Sequence, residues 1–322
     1  MSLIDLNGSL GRIDGGFGIS LTNPHFRIEF SDECNGICIE GQKFEYNKLI
    51  PELIRAIEGH FNTKFEKVAI KIIETVIPHV GFGSKTQFLL TITKGLCHLK
   101  GIHPSIEELA RLVHRGGTSG IGTRAFEHGG FIVDVGHSFG PGKEKESFLP
   151  SSASFAPPAP LLFQFKLPDY WRIILVHFQV KPGANNIEEI NHFQQNCPIS
   201  VHDVEQISHR VLMQIIPAIM SADLTTLAEE LWFINFHGFK HIEIKLQHTY
   251  IQKEMQYLHE HYVEPIGMSS FGPILYLITE SQQKAEKIAQ EIELQITSDP
   301  DAPKCTITIC TPNNTGHSVI EY

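Results

Sequence analysis

The chain has 322 residues, 42% of them hydrophobic and 19% charged, which is the composition of a folded globular protein and not of a disordered one. Its formal charge is −10, from 36 acidic against 26 basic residues, so a basic footprint for a nucleic-acid backbone is excluded and no nucleic-acid partner is expected. No run approaches the roughly 20 apolar residues of a membrane span, and Met1–Arg12 lacks a basic-then-apolar export signal, so the expectation is a cytoplasmic protein with no membrane partner.

At about 150 residues per domain, two domains are expected. In chain order, Gly18–Leu21 and the alternating His25–Phe30 predict short strands. Leu49, Leu53, Ile54, Ile57 and Phe61 fall at helical spacing, and Val68–Ile73 predicts a half-buried strand that Pro78–Gly83 breaks. A helix follows with Phe88, Leu89, Ile92 and Leu96 on one face, then a short helix over 105–113, a glycine-rich stretch and a strand over 130–135. Residues 137–160 are rich in turn formers and make the best linker. Beyond it, Leu161–Phe165 and Trp171–Phe178 predict strands, 200–262 is mostly helical, and Pro273–Leu277, Ser281–Leu294 and Thr306–Ile309 predict strand, helix and closing strand. Strands and helices mix without a regular βαβ alternation, so the fold class is α+β in two lobes, 1–160 and 161–322, with the ligand cleft between them. The six cysteines include Cys34/Cys38 and Cys305/Cys310, neither of them a CxxC pair, and are expected as thiols of a reducing compartment.

Five stretches could carry chemistry. In Pro78–Gln87 a strand enters, Gly81 and Gly83 turn the chain, and a helix leaves. Such a turn offers backbone N–H groups and the positive end of a helix dipole to an anion. Ser84 can cap the helix and donate to the anion, Thr86 adds a second hydroxyl, and Lys85 adds a cation. It is not a Walker A loop, because position 79 is His. The plain alternative is a helix cap after a turn.

In His114–Arg124, glycines at 116, 117, 120 and 122, hydroxyls at 118, 119 and 123, and Arg115 and Arg124 are packed into eleven residues. Arginine forks match phosphate oxygens, and successive N–H groups in Gly116, Gly117, Thr118, Ser119 and Gly120 can form an anion nest. A flexible surface loop is the alternative. Asp134 and His137, at the end of a strand, could be an acid/base pair, metal ligands or a structural turn. Gly267–Pro273, with Ser269, Ser270 and Gly272, could touch a ligand or simply turn. Arg12 and Asp14, between glycines, could touch a ligand or pair with each other.

Taken together, Pro78, Gly81, Gly83 and Ser84, followed by the small-residue stretch 267–273, resemble the GHMP kinase superfamily. One branch is closer, the β-ribofuranosylaminobenzene 5'-phosphate synthases of methanopterin biosynthesis. The resemblance is carried by Asn7-Gly8, Gly11–Gly16, Gly81–Gln87, Arg115–Gly122 running into Phe126–Phe131, and Pro150–Ser154 before Pro157-Pro158. It implies a two-lobed GHMP-kinase-like fold, with an N-terminal α/β lobe and a C-terminal ferredoxin-like lobe, and a homodimer. The implied reaction joins 5-phosphoribosyl-1-diphosphate to 4-aminobenzoate, releasing carbon dioxide and diphosphate. It further implies phosphate contacts from both turns, and Lys85, Arg115 and Arg124 as cations. Substrate contacts fall to Arg12, Asp14, Ser151, Ser152, Ser269, Ser270 and Gly272. Magnesium would sit on the diphosphate with Glu127 or Asp134 nearby, and His137 would move a proton. Many GHMP kinases carry an Asp or Asn before the Gly-Gly-Phe strand, whereas Thr118–Arg124 has none. An ATP-dependent kinase and a non-catalytic phosphometabolite-binding protein are the alternatives.

Overall fold

β1 (Ser2–Asp5) folds back on β2 (Arg12–Ile19) through a turn whose Gly8 and Gly11 take positive φ. The computed structural model describes residues 1–180 and 186–321. β3 (Arg27–Ser31), β4 (Gly36–Gly41), α1 (Ile50–Phe61) and β5 (Lys67–Glu74) come next. β5 pairs parallel with β4, through the α1 crossover, and antiparallel with β3. Pro51 in the first turn of α1 supplies a preset φ where no N–H is needed, and Asn62 ends the helix in the left-handed region. Ile50, Leu53, Ile54 and Ile57 of α1 bury against Val68, Ile70 and Ile72 and against α2 (Ser84–Leu99), which contributes Phe88, Leu89, Ile92 and Leu96. Each such side chain contributes about 2 kcal/mol by leaving water. This core holds α2 rigidly, and α2 presents its N-terminus to the site.

α3 (Ile106–Leu112) and α4 (Ile121–His128) lead into β6 (Phe131–Asp134) and β7 (His137–Ser138). α4 lies inside the stretch expected as loop, because its glycines hide the helical period. Glycine also lets it pack: a Cβ at Gly18 of β2 would stand 2.8 Å from Ile121. β2 itself begins at Arg12, ahead of the expected Gly18, since Gly15, Gly16 and Gly18 show no side-chain alternation. The sheet runs β1-β2-β6-β8, with β8 (Leu161–Phe165) antiparallel to β6 and β7 also on β2. β8 therefore completes the first sheet, and the chain passes to the second sheet over 166–171.

β9 (Arg172–Phe178) opens the second lobe, followed by α5 (Asn186–Asn196), α6 (Val201–Arg210), a π-helical stretch Val211–Ile215, α7 (Ile216–Ser221), α8 (Leu224–Asn235), α9 (Gly238–Lys245) and α10 (Thr249–His261). β10 (Ile266–Met268), β11 (Ile274–Thr279), α11 (Gln282–Ser298) and β12 (Cys305–Cys310) close it. The strand order β10-β11-β9-β12, all antiparallel, is the ferredoxin-like βαββαβ arrangement with the helices α5–α10 in its first crossover. One sheet face carries Ile173, Leu175, Ile274, Tyr276 and Ile278 into a core shared with Phe17, Phe131 and Val133 of the first lobe. The other face packs Ile174, Val176, Leu275 and Leu277 against α10 and α11. The α+β two-lobed expectation agrees with this architecture.

Cys34 and Cys38, expected as thiols, are joined as a disulfide. The turn before β4 brings their Cα atoms to 6.3 Å. Among the described residues no helix is long and apolar enough to cross a membrane.

Candidate active site

α2 begins without a side-chain cap. Its N-cap is Gly83, at φ 64°, so Ser84 is the first residue inside the helix rather than its cap. The first-turn amides and the Ser84 hydroxyl thus take no partner among the described residues, and the helix dipole adds positive potential there. This end opens on a cleft of about 1470 Å³ between the lobes, lined by Gly81, Gly83, Ser84, Lys85 and Thr86.

The second turn comes to the same place. Arg115 donates from Nε to Thr86 Oγ1 at 2.8 Å and from Nη1 to the Ser151 carbonyl at 3.2 Å. Gln87 donates to the Gly122 carbonyl at 2.7 Å, so α2 and the start of α4 are stitched together. Arg115, Thr118, Ser119, Ser151, Ser152, Ser269, Ser270 and Gly272 all line the cleft. Lys85 lies near enough to Arg115 to feel its charge. Burial first, and Arg115 second, hold the Lys85 amine below its ordinary value. Two desolvated cations beside free amides form an anion site.

The third loop closes on the first. Ser269 Oγ donates to the Gly81 carbonyl at 2.9 Å, so that hydroxyl ties two turns together. A Cβ at Gly81, which has φ 95°, would land on the Ser269 carbonyl, and one at Gly272 would overlap the Val80 carbonyl. Ser270 and His79 are held at φ 50° and 60°, a strained region for residues with side chains.

Gly116, Gly117, Gly120, Arg124, Glu127, Asp134, Arg12, Asp14 and His137 lie off the cleft, and Thr118 and Ser119 line it with polar groups already engaged. Gly116, Gly117 and Gly120 lie flat against 154–159: added Cβ atoms would meet Pro158, Ser154 and Ala159. Close backbone packing accounts for these glycines. The Gly120 amide donates to Asp134 Oδ2 and the Ser119 amide to Ser151 Oγ at 3.4 Å, so neither N–H is open to an anion. The Thr118 hydroxyl donates to the Leu149 carbonyl. Arg124 is bound to Glu107 at 2.5 Å and to Glu127 at 3.3 Å, joining α4 to α3. Glu127 also meets His128 at 3.0 Å. Asp134 accepts the amides of Gly120 and Gly136, both at 2.9 Å, and burial pushes its carboxyl up to about 7. Arg12 donates to the carbonyls of Val135 and Gly136. Asp14 and His137 pair with each other at 2.6 Å in the interior. Glu127 and Asp134 therefore hold structural partners in separate places, and no cluster of three or more metal-ligating side chains occurs among the described residues.

Two cleft residues carry no motif. Glu189, in the first turn of α5, faces the anion site from the second lobe. Burial and then the Glu243 carboxylate push its carboxyl up to about 7, against the pull of Arg115. Tyr276 of β11 lines the cleft with a hydroxyl that bonds nothing among the described residues, beside the apolar Phe17, Phe82, Ile173 and Leu175. Only their place in the fold marks them. Glu189 is one acidic residue at a helix start, and Tyr276 belongs to a strand buried on both faces.

The cleft thus has a cationic, amide-rich end, an aromatic wall and, within the field of Arg115, the Glu189 carboxylate of raised pKa. No family model matches the chain. It is 38% identical over 292 residues to a β-ribofuranosylphenol 5'-phosphate synthase of Methanothermobacter thermautotrophicus, covering 88% of this chain and 86% of that one. A protein of the same name from Methanocaldococcus jannaschii is 36% identical over 332 residues, 99% of this chain and 97% of its own. Among solved structures, homoserine kinase of Cytophaga hutchinsonii superposes with a TM-score of 0.64 at 14% identity over 93% of this chain and 90% of the kinase. Mevalonate pyrophosphate decarboxylase of Streptococcus pyogenes does so with 0.65 at 11% identity over 99% and 94%. These two likenesses are of fold.

Proposed function

The chain belongs to the β-ribofuranosylphenol 5'-phosphate synthase family, and from that premise we propose that it transfers phosphoribose from 5-phosphoribosyl-1-diphosphate to the ring of a para-substituted benzoate, with release of carbon dioxide and diphosphate. The single observation carrying the reading is the Arg115–Thr86 bond, which joins both anion turns at the open end of α2. A substrate bearing a phosphate, a diphosphate and an acceptor carboxylate needs such a site.

The chemistry follows from the charges. The bond from C1' of the ribose to the diphosphate oxygen breaks, its electron pair leaving with diphosphate. The α2 amides, Lys85 and Arg115 stabilise that departing charge, the largest catalytic contribution a preorganised site makes. The electron-poor C1' is attacked by the ring carbon that carries the carboxylate. Loss of carbon dioxide from that carbon returns the bonding pair to the ring and restores aromaticity. Phe17, Phe82 and Tyr276 offer the ring a dry wall, and the Tyr276 hydroxyl is free to meet its para substituent. Ionised Glu189 offsets positive charge developing on the sugar.

The oxygen donors facing the anion site suit a magnesium ion that keeps most of its ligands from diphosphate and water. The Ser84 hydroxyl, which has no partner among the described residues, would hold it from the protein. When bound it would neutralise part of the diphosphate charge.

The relatives are named for a phenol, which favours 4-hydroxybenzoate as acceptor, with 4-aminobenzoate the alternative. Carboxyl-labelled samples of both, supplied with phosphoribosyl diphosphate and magnesium, should release labelled carbon dioxide, faster from the hydroxyl compound. No release from either, together with thermal stabilisation by magnesium-ATP alone, would replace this reading with a kinase.

The pH dependence should report Glu189. Its carboxyl titrates near 7, so the active carboxylate is lost as pH falls through that value. The rate should climb from pH 6 to 8, and Glu189→Gln should flatten the climb and lower kcat/KM roughly 100-fold at pH 8. A variant profile with the same limb would assign it elsewhere.

A further inference from the structure

Below the Gly116–Gly120 turn lies a charge cluster that takes no part in the steps above. Lys145 comes from a run, Lys143-Glu144-Lys145-Glu146, that reads as a solvated face, yet it is only 5% exposed. Its ammonium donates to Asp14 Oδ1 at 3.1 Å and Oδ2 at 2.9 Å, to Thr118 Oγ1 at 3.0 Å and to the Leu149 carbonyl at 3.2 Å. Both Asp14 oxygens accept from this cation, so the carboxylate is ionised. His137 reaches the same carboxylate through Nδ1 at 2.6 Å and the Pro157 carbonyl through Nε2 at 2.8 Å. The Lys145 ammonium and the His137 ring thus share one carboxylate, with Asp14 itself held at φ 70°. A buried charge cluster is poor evidence for stability, since apolar residues of similar volume often serve as well. Its partners show what it fixes.

Of the partners outside the cluster, Thr118 lines the cleft and Leu149 directly precedes Pro150, Ser151 and Ser152, which also line it. Thr118 accepts from Lys145 and passes its own proton to the Leu149 carbonyl at 2.6 Å. Leu149 precedes the turn whose Ser151 carbonyl receives Arg115. Ser154 of that turn donates to the Gly117 carbonyl at 2.5 Å. Remove the ammonium, and the 115–120 and 149–154 segments lose the donor that both share.

We infer that Lys145, anchored by Asp14 and His137, is a positioning residue that locks the 115–120 and 149–154 turns together and so keeps the Arg115 fork aimed at the diphosphate. The substrate in this statement rests on the synthase reading. The cluster touches no substrate. It acts through Thr118, Leu149 and Arg115.

The test uses the whole chain with magnesium present. It measures inorganic diphosphate binding by titration calorimetry, and steady-state constants, for Lys145→Met, Thr118→Val and Ile292→Ala. Ile292 lies in the separate core under α11 and serves as a destabilised control. Lys145→Met should weaken diphosphate binding and raise KM for phosphoribosyl diphosphate about 10- to 100-fold, as loss of an outer orienting partner does, with the acceptor KM unchanged. Thr118→Val, near in shape, should cost about 5-fold, the equivalent of one hydrogen bond. Ile292→Ala should bind as the parent does. Unchanged diphosphate affinity in Lys145→Met and Thr118→Val, an equal loss in Ile292→Ala, or no diphosphate binding by the parent overturns the inference. Where Lys145→Met fails to fold, Thr118→Val decides. Lys145-dependent diphosphate binding without carbon dioxide release sinks the synthase reading alone, and normal release with normal constants from Lys145→Met sinks the positioning role alone.

Discussion

Replacing Arg115 with Met is expected to lower kcat/KM by about 1,000-fold while the protein still folds. The guanidinium makes two hydrogen bonds that no other side chain among the described residues duplicates, to Thr86 Oγ1 and to the Ser151 carbonyl. It is also one of two cations beside the open amides of α2. Deleting a preorganised donor to a developing oxyanion typically costs 100- to 1,000-fold, and here the charge is lost with the donor. Lys85 remains, which sets a floor to the loss. Arg115→Lys keeps the charge but not the planar fork, so it should recover only part of the rate. The stability cost should stay near 1–2 kcal/mol, because Thr86 and Ser151 border the cleft and water can replace the lost donor. Steady-state kinetics with phosphoribosyl diphosphate, beside thermal unfolding, check both halves. A Met variant with parental kcat/KM would remove Arg115 from the anion site.

Gly81→Ala should be a severely damaging single methyl. At φ 95° the backbone disfavours any side chain, and the new Cβ would fall on the Ser269 carbonyl. That carbonyl cannot retreat without breaking the 2.9 Å bond from Ser269 Oγ to Gly81. Strain and overlap together should cost about 3 kcal/mol or more and part the two turns, taking activity down at least 100-fold. Gly83→Ala supplies the contrast. Gly83 also has positive φ, 64°, but nothing lies within 4 Å of its added Cβ. It should lose only about 1–2 kcal/mol. Denaturant unfolding of both variants separates backbone preference from contact. Equal losses would mean that the Gly81–Ser269 contact contributes nothing.

The strands, helices and turns near the site differ in how far local pattern exposed them. α2 is plain because Phe88, Leu89, Ile92 and Leu96 recur at the helical period. The Gly81–Thr86 turn is plain because glycines, a hydroxyl and a lysine before a helix have few other uses. α4 and the start of β2 are hidden because glycine contributes no apolar side chain to count. β10 is three residues long and disappears into a small-residue stretch. The 115–122 turn shows a subtler gap. Its composition reads as an anion nest, yet Gly116, Gly117 and Gly120 are there so that the backbone can lie against 154–159. The cleft takes Arg115 from it and leaves the Gly120 amide to Asp134.

The sequence by itself determined the α+β class, the glycine turn into a helix near 83–86 and the family to which the chain belongs, because hydrophobic period and turn chemistry are written in neighbouring residues. Only the tertiary structure decided which charges meet. Lys145 enters the interior, Arg124 is spent on Glu107, and Glu189 faces Arg115 from the other lobe. Desolvation and pairing act through space at separations of a few ångströms, and Lys145 meets Asp14 from 131 positions away in the chain.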